Sequence, residues 1–424
     1  MSRQAKEPKI TIRSLFIWLL AVLFFFYEFF LRVLPATVAK HIVVSIDVSI
    51  EQFALIGSAY YLTYSLMQFP VGVLLDKFSA RLWITIAVMT CAFGAIWFSF
   101  AHSFIPAFIA RLFIGFGSSF GFISLTVATL NWFPKKYFAF LVGCGQFIGA
   151  LGPLCAGAPI ALMMEATKGD WRLIFLWVAL FGICLGLLIG FFFKDKPKKE
   201  QKIVFIDKKG PLKKRLVELL RRPQIWWILL FSGSIYVAIP LLGAFWGTSY
   251  LETRGFSTLS AAFIISMIWV GLAIGSPLFG RLSDLMKRRR PLMILCAIVG
   301  LISSILILWT PSTNFYYLCF LFFLVGLGSS GMNMAFAIIT EHSPKSLQAT
   351  AIGLNNTALM GAGAIIPPFV TSIIRNFTNG EGLTELAFEK GFAVIPIFFT
   401  LSLLLTLFAI RETFCRQQLE VHHI

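Results

Sequence analysis

Apolar runs of about 20 residues recur along nearly the whole chain, and runs of that length leave few folds open. A helix rising about 1.5 Å per residue needs about 20 apolar residues to cross a hydrocarbon slab ~30 Å thick. The runs do not alternate with a period of two, so they are not strands of a lipid-spanning barrel. Twelve candidate spans cover 15–38, 52–75, 82–101, 104–130, 137–163, 172–193, 224–247, 259–280, 291–309, 315–339, 347–373 and 391–410. The first is too long, and too soon followed by others, to read as a cleaved leader. Only 13% of the residues are charged, against roughly 25% in a soluble domain. The expected fold is an all-α polytopic membrane protein: twelve transmembrane helices in two pseudo-symmetric six-helix bundles.

The net charge of +17 would suggest nucleic acid as a partner in a soluble protein. Its placement argues otherwise. With the N-terminus inside, the basic excess falls wholly on the segments facing the cytoplasm, as the positive-inside pattern requires, and both termini are expected there. Attraction to anionic lipid accounts for the charge, so membrane lipid is an expected partner and nucleic acid is not. The expected divisions are a lead at 1–14, bundles at 15–193 and 223–410, a cytoplasmic loop at 194–222 and a tail at 411–424. Within the loop, 212–222 reads as a short amphipathic surface helix. The seven cysteines form no CxxC pair and the five histidines are scattered, so neither metal nor other cofactor is expected.

The halves repeat. QFPVGVLLDKFSARLW at 68–83 returns 208 residues later as SPLFGRLSDLMKRRRPL, with Gly280 for Gly72 and Asp284 for Asp76. RLFIGFGSSF at 111–120 returns as FFLVGLGSSG at 322–331, an offset of 211. Both copies enter the membrane in the same direction, as in a parallel repeat about an axis along the membrane normal. Gly72, Asp76, Lys77 and Arg81, with Gly280, Asp284 and Arg288, read as paired cytoplasmic turns that gate the inner side. A plain basic turn would explain the lysine and arginines, but not a Gly–Asp spacing found twice.

Ionisable residues inside the spans are the sharpest functional signals, because a charge in hydrocarbon is costly and usually faces a partner or water. Glu28 and Arg32 stand four apart in span one, on one helix face. Read structurally they are an ion pair that stabilises the bundle. Read functionally, Arg32 receives an anionic group, since a guanidinium pairs with a carboxylate through two parallel hydrogen bonds, and Glu28 is the protonatable partner. Arg111 in span four is the second coupling candidate or else a structural anchor; its repeat position holds Phe322, and the asymmetry favours a function. The GxGxxG-like run beside it follows no strand, which excludes a dinucleotide site. Gln146, Tyr236, Asn333, Asn355 and Asn356 are further substrate-contact candidates, although amides also serve helix packing. Asp170 is placed to cap span six, with Arg172 snorkelling outward.

Twelve spans, the 6+6 repeat and the Gly-xxx-Asp-(Arg/Lys) turn in each half resemble the major facilitator superfamily over residues 15–410. Arg111-xxx-Gly115-x-Gly117 resembles its fourth-helix signature, which the family associates with proton coupling. Arg32, Arg111, Asn131-Trp132-Phe133-Pro134 and Trp171-Arg172 are similar to the organic anion/cation symporters, with a looser similarity to bacterial relatives of the lysosomal dipeptide carrier. Two positions depart from the symporters: Leu31 stands where they carry an Asp, and Ser118-Ser119 where they carry a Glu. Gly149-xx-Gly152-Pro153 partly resembles the efflux antiporters.

The resemblance implies a transporter rather than an enzyme, with a central cavity between halves that rock in alternation. The leading expectation is an inner-membrane, proton-gradient-driven importer of a small organic anion or amino-acid-like or peptide-like solute, working as a monomer. Proton-driven export of a drug, metabolite or siderophore-like molecule is the alternative. A non-transporting receptor or scaffold ranks lower, because an immobile bundle has no need of paired gates.

Overall fold

The structure, a computed structural model, describes residues 10–134, 138–194, 217, 219–310, 312–344, 347–378, 383–416 and 418. Among them every regular element is a helix. Eleven helices are long and apolar enough to cross a membrane. Span two (Ile50–Lys77) qualifies only together with the short helix Ala39–Ser45. Its spanning part is set at 117° to that helix. It carries the tyrosines and the glutamine described below.

In the first half, span one is Ile12–Thr37 and span three is Ala80–Ser99. Span four is broken into Phe104–Ser118 and Gly121–Trp132, and span five into Phe138–Ala156 and Ala158–Ala166. Span six is Trp171–Phe192. In the second half, span seven begins as Pro223–Tyr236 and Ala238–Pro240, then continues as the π-helix Leu241–Trp246 and Gly247–Thr253. Spans eight and nine are Thr258–Met286 and Arg290–Trp309. Span ten is Phe315–Ser329 with Met332–Glu341, and span eleven is Gln348–Asn376. Span twelve runs as Glu385–Phe392, Val394–Leu404 and the π-helix Leu405–Ala409. An even number of spans puts both chain ends on one face, here called the terminal face; the other is the far face.

The ends differ from expectation where capping, rather than hydropathy, sets them. Span one starts three residues early, at a capping box in which the Thr11 hydroxyl accepts from Ser14 N and the Ser14 hydroxyl from Thr11 N. Span twelve starts at Glu385, not 391, because Thr384 caps it. Spans two and eight run to Lys77 and Met286. Gly72, Asp76 and Lys77, and Gly280 and Asp284, therefore lie in the last helical turns and not in loops between helices. The linker helix expected at 212–222 falls largely outside the described residues; 217, 219 and 220 are helical.

The repeat is visible at the level of atoms. Spans four and ten both break at their Gly-Ser-Ser stretch, at Ser119-Phe120 and Ser330-Gly331, 211 residues apart. A β-carbon on Gly115 would collide with the Tyr60 carbonyl in span two, and one on Gly326 with the Ile268 carbonyl in span eight. Gly117 and Gly328 bring the same spans against the backbones of spans three and nine. Only glycine permits such close approach.

An arginine also closes the far end of span three and of span nine. Arg172 does not snorkel: its Nη1 donates to the carbonyls of Ser99 (2.6 Å) and Ala101 (2.7 Å). Arg254 donates to the carbonyls of Ile307 (3.0 Å) and Thr310 (2.8 Å). Asp170 caps span six as expected, accepting from Arg172 N and Leu173 N.

Between the halves, the contacts join span two to eleven, five to eight and one to seven. Spans two and eleven run antiparallel in continuous register. Glu51 meets Arg375 at the far rim, Tyr61 seats against Gly363, Ser65 donates to Thr357 O, and Asn356 Nδ2 donates to Gln68 Oε1 at 2.6 Å.

Candidate functional site

Glu28 and Arg32 are fully buried, past the midpoint of span one toward its far end, where spans one, two and seven meet. One helical turn apart, they pair directly: Arg32 Nη2 lies 3.0 Å from Glu28 Oε2 and 3.3 Å from Oε1. Tyr60 of span two completes a triangle. Its hydroxyl donates to Glu28 Oε2 at 2.7 Å and accepts from Arg32 Nε at 3.2 Å. The remaining arm of the guanidinium crosses between the halves, with Arg32 Nη1 donating to Tyr236 OH of span seven at 3.4 Å. Removing one partner would leave a buried charge uncompensated, a cost of about 3–5 kcal/mol.

Aromatic rings enclose the guanidinium. Its carbon lies 4.2 Å from the centre of Phe29, 5.1 Å from Tyr64, 5.6 Å from Tyr60 and 5.9 Å from Tyr61. Tyr60 and Tyr61 stand four and three residues before Tyr64, spacings that bring each beside it on span two. Gly121, just past the break in span four, makes room for the acid, since a β-carbon there would stand 2.7 Å from Glu28 Cγ.

Arg111 is also buried. Its Nη1 donates to Leu31 O at 2.9 Å, and its guanidinium lies 4.8 Å from the Tyr60 ring centre. The Leu31 carbonyl is available for a definite reason. Four residues on stands Pro35, inside the same helix, and proline has no N–H to complete the helical bond. Arg111 thus satisfies an acceptor that Pro35 orphans, while its Nε has no partner. It is anchored to the structure and adjacent to the Glu28–Tyr60 contact at once.

The amides are placed differently. Asn333 Nδ2 donates to Ser276 Oγ (2.8 Å) and Ser330 O, tying span ten to span eight. Asn355 Oδ1 accepts from Ser232 Oγ at 2.6 Å, tying span eleven to seven, and Asn356 holds Gln68 across the halves. None of the three contacts Arg32. Gln146 is exposed on span five.

At the terminal face the side chains of Gly72, Asp76 and Lys77 lie outside the described set, and Arg81 is exposed at the start of span three. Gly280 faces open space. Asp284 accepts from Arg289 Nη1 at 2.6 Å, and Arg289 Nη2 donates to Glu341 Oε1 at 2.9 Å. Glu412 of the tail accepts from the backbone N–H groups of Arg289 and Arg290. These described bonds of Asp284 lie within the second half and do not reach the first. Arg288 instead lies over Phe414, 5.8 Å from its ring centre. Arg289 was missed in the sequence although the 208-residue offset points to it: Asp76 and Arg81 correspond to Asp284 and Arg289, not Arg288. Tyr60, Tyr61 and Tyr64 were missed as well; their signal was hydroxyls at helical spacing within an apolar run. Among the described residues no three His, Cys, Asp or Glu side chains gather where a metal ion could sit.

Long apolar spans in two repeats, meeting at a buried acid–arginine pair, are the architecture of a membrane solute carrier. The chain belongs to the Major Facilitator Superfamily, whose profile matches residues 17–368. It is accordingly a multi-pass secondary active transporter working by alternating access, and not an enzyme. It is 25% identical to the uncharacterized transporter YybO of Bacillus subtilis (strain 168), over 87% of this chain and 88% of that one. It is 25% identical to the probable sulfoacetate transporter SauU of Cupriavidus necator, over 63% and 64% of the two chains. In structure it is similar to a bacterial homolog of the human lysosomal transporter Spinster in an inward-facing, unoccupied conformation. That TM-score is 0.76 at 17% identity, covering 94% of this chain and 98% of the other.

Proposed function

We propose that the protein is a proton-coupled importer of a small organic anion in a bacterial inner membrane, with its termini in the cytoplasm. The observation that carries the reading is the buried Glu28–Tyr60–Arg32–Tyr236 network, which lies on the seam between the halves and bonds to both. An incoming carboxylate competes with Glu28 for Arg32, and a proton on Glu28 frees the arginine to receive it. Substrate and proton then act on one bond, and that bond touches the element that must move. The relative named for sulfoacetate, a small anion, supports the same class of solute.

The test uses purified protein in proteoliposomes with an imposed pH gradient. Glu28→Gln is expected to abolish gradient-driven accumulation and to spare counterflow exchange. Arg32→Ala is expected to weaken binding of the transported anion by about 10–100-fold, the loss of charge-assisted hydrogen bonds worth roughly 1.5–3 kcal/mol. Accumulation by Glu28→Gln at the wild-type level would make the acid structural, and unchanged anion binding by Arg32→Ala would remove the arginine from the substrate role.

A further inference from the structure

We propose that the solute is a carboxylate on a flat aromatic body, bound as a ring sandwiched beside Arg32, and not a polyhydroxylated acid. The inference rests on the reading of Arg32 as the partner of the anion. It adds what the walls around that arginine select.

Two aromatic arms lead away from the guanidinium. Along one, Tyr61 stacks on Phe245 with centroids 5.9 Å apart and planes 27° apart. Along the other, Phe29 meets Trp269 edge-on at 6.0 Å. Each arm joins a ring of the first half to a ring of the second, as Arg32 itself joins Tyr236. Glycines seat these rings: Gly57 under Phe245, Gly363 under Tyr61 and Gly243 under Trp269. Rocking the halves apart parts both ring pairs and opens flat apolar faces on either side of the arginine. A ring entering that slot regains the lost stacking, worth about 0.5–1.5 kcal/mol per aromatic pair beyond its area.

The polar inventory points the same way. Each hydroxyl of a sugar acid that enters a dry site unpaired costs about 1–3 kcal/mol. Asn333 and Asn356 are committed to other helices, and Asn355 bonds to span seven through Oδ1, with its Nδ2 unpaired. Two buried polar atoms beside the slot have no partner, the Tyr61 hydroxyl and the Trp269 indole N–H. Both side chains are 1% exposed. They offer one or two hydrogen bonds at the edge of a ring.

Purified protein in nanodiscs is titrated with benzoate, 4-hydroxybenzoate, gluconate and the neutral benzamide, reading tryptophan fluorescence and calorimetric heat. Benzoate is expected to bind at least tenfold more tightly than gluconate, 4-hydroxybenzoate more tightly still, and benzamide not at all. Gluconate binding as tightly as benzoate, with Arg32→Ala abolishing both, would overturn the aromatic inference and leave the arginine reading standing. Benzamide binding as well as benzoate would overturn the arginine reading itself. Tyr61→Leu with Trp269→Leu is expected to erase the preference for benzoate. Should that double variant fail to fold, Tyr61→Phe is the milder check, expected to bring 4-hydroxybenzoate down to the level of benzoate, about a fivefold loss. No loss in Tyr61→Phe would sink the assignment of that hydroxyl to the solute.

Discussion

Pro35 and Arg111 explain each other, and neither residue is intelligible alone. The proline withholds an N–H from the Leu31 carbonyl, and the arginine supplies one from another helix. The two substitutions must therefore be coupled. Arg111→Leu orphans the carbonyl and is expected to cost about 1–3 kcal/mol of stability. Adding Pro35→Ala returns the helical N–H and should recover most of that loss, read as the unfolding midpoint in detergent. Recovery of stability without recovery of uptake would show that Arg111 also acts on transport through Tyr60. Strictly additive stability losses would refute the carbonyl account. Tyr60→Phe removes one donor from Glu28 and one acceptor from Arg32, and should slow gradient-driven uptake at least tenfold with the protein still folded. What was legible at this scale follows contrast. Glu28, Arg32 and Arg111 stand out because a charge in an apolar run is rare, whereas tyrosines in a chain with 46 phenylalanines do not. The asparagines stood out for the same reason as the charges, and each bonds to a neighbouring helix, which a buried amide does as readily as it bonds a ligand.

The glycines of spans four and ten show how far the repeat governs whole elements. Gly115 and Gly326 each press a helix onto a carbonyl of the preceding even-numbered span, at equivalent positions. Gly115→Val and Gly326→Val should then be damaging to similar degrees, each lowering folded yield severely. The first should harm transport in any surviving protein more, because the carbonyl it displaces belongs to Tyr60. Equal residual transport at equal yield would argue against that coupling. The twelve spans and the repeat were legible because hydropathy and spacing report them directly. The helix ends were less so. Spans two and eight continue past their glycines because nothing in VLLDK or RLSDLM stops a helix, and hydropathy falls before helicity does. Arg289 was hidden for a related reason: three consecutive arginines look alike until the register of the repeat chooses among them.

For the whole molecule, the described ion pairs that join the two halves stand apart from the paired glycine–aspartate segments, where the side chains of Asp76 and Lys77 lie outside the described set. Among the described residues, both such pairs lie on the far face, Lys40 with Glu252 at 2.9 Å and Arg375 with Glu51 at 3.0 Å. Lys40 follows span one and Glu252 lies at the end of span seven, the spans that correspond in the repeat, so the contact lies close to the axis relating the halves. Nearer the terminal face Asn356 and Gln68 join the halves, and the Asp284–Arg289–Glu341 ions hold the second half to itself. Among the described residues, ion pairs join the halves at the far face and the Gln68–Asn356 amide pair joins them nearer the terminal face. Lys40 is 63% exposed, so solvent screens its pair and about 1 kcal/mol is the ceiling. That is enough to move a conformational equilibrium about fivefold, not to lock it. Lys40→Glu and Glu252→Lys should each bias the protein toward far-face opening and slow uptake by roughly that factor, more at low salt than at high. The double exchange restores the pair with its charges reversed and should return uptake to near the wild-type rate. A double exchange no better than either single change would mean that the far face is held shut by helix packing alone.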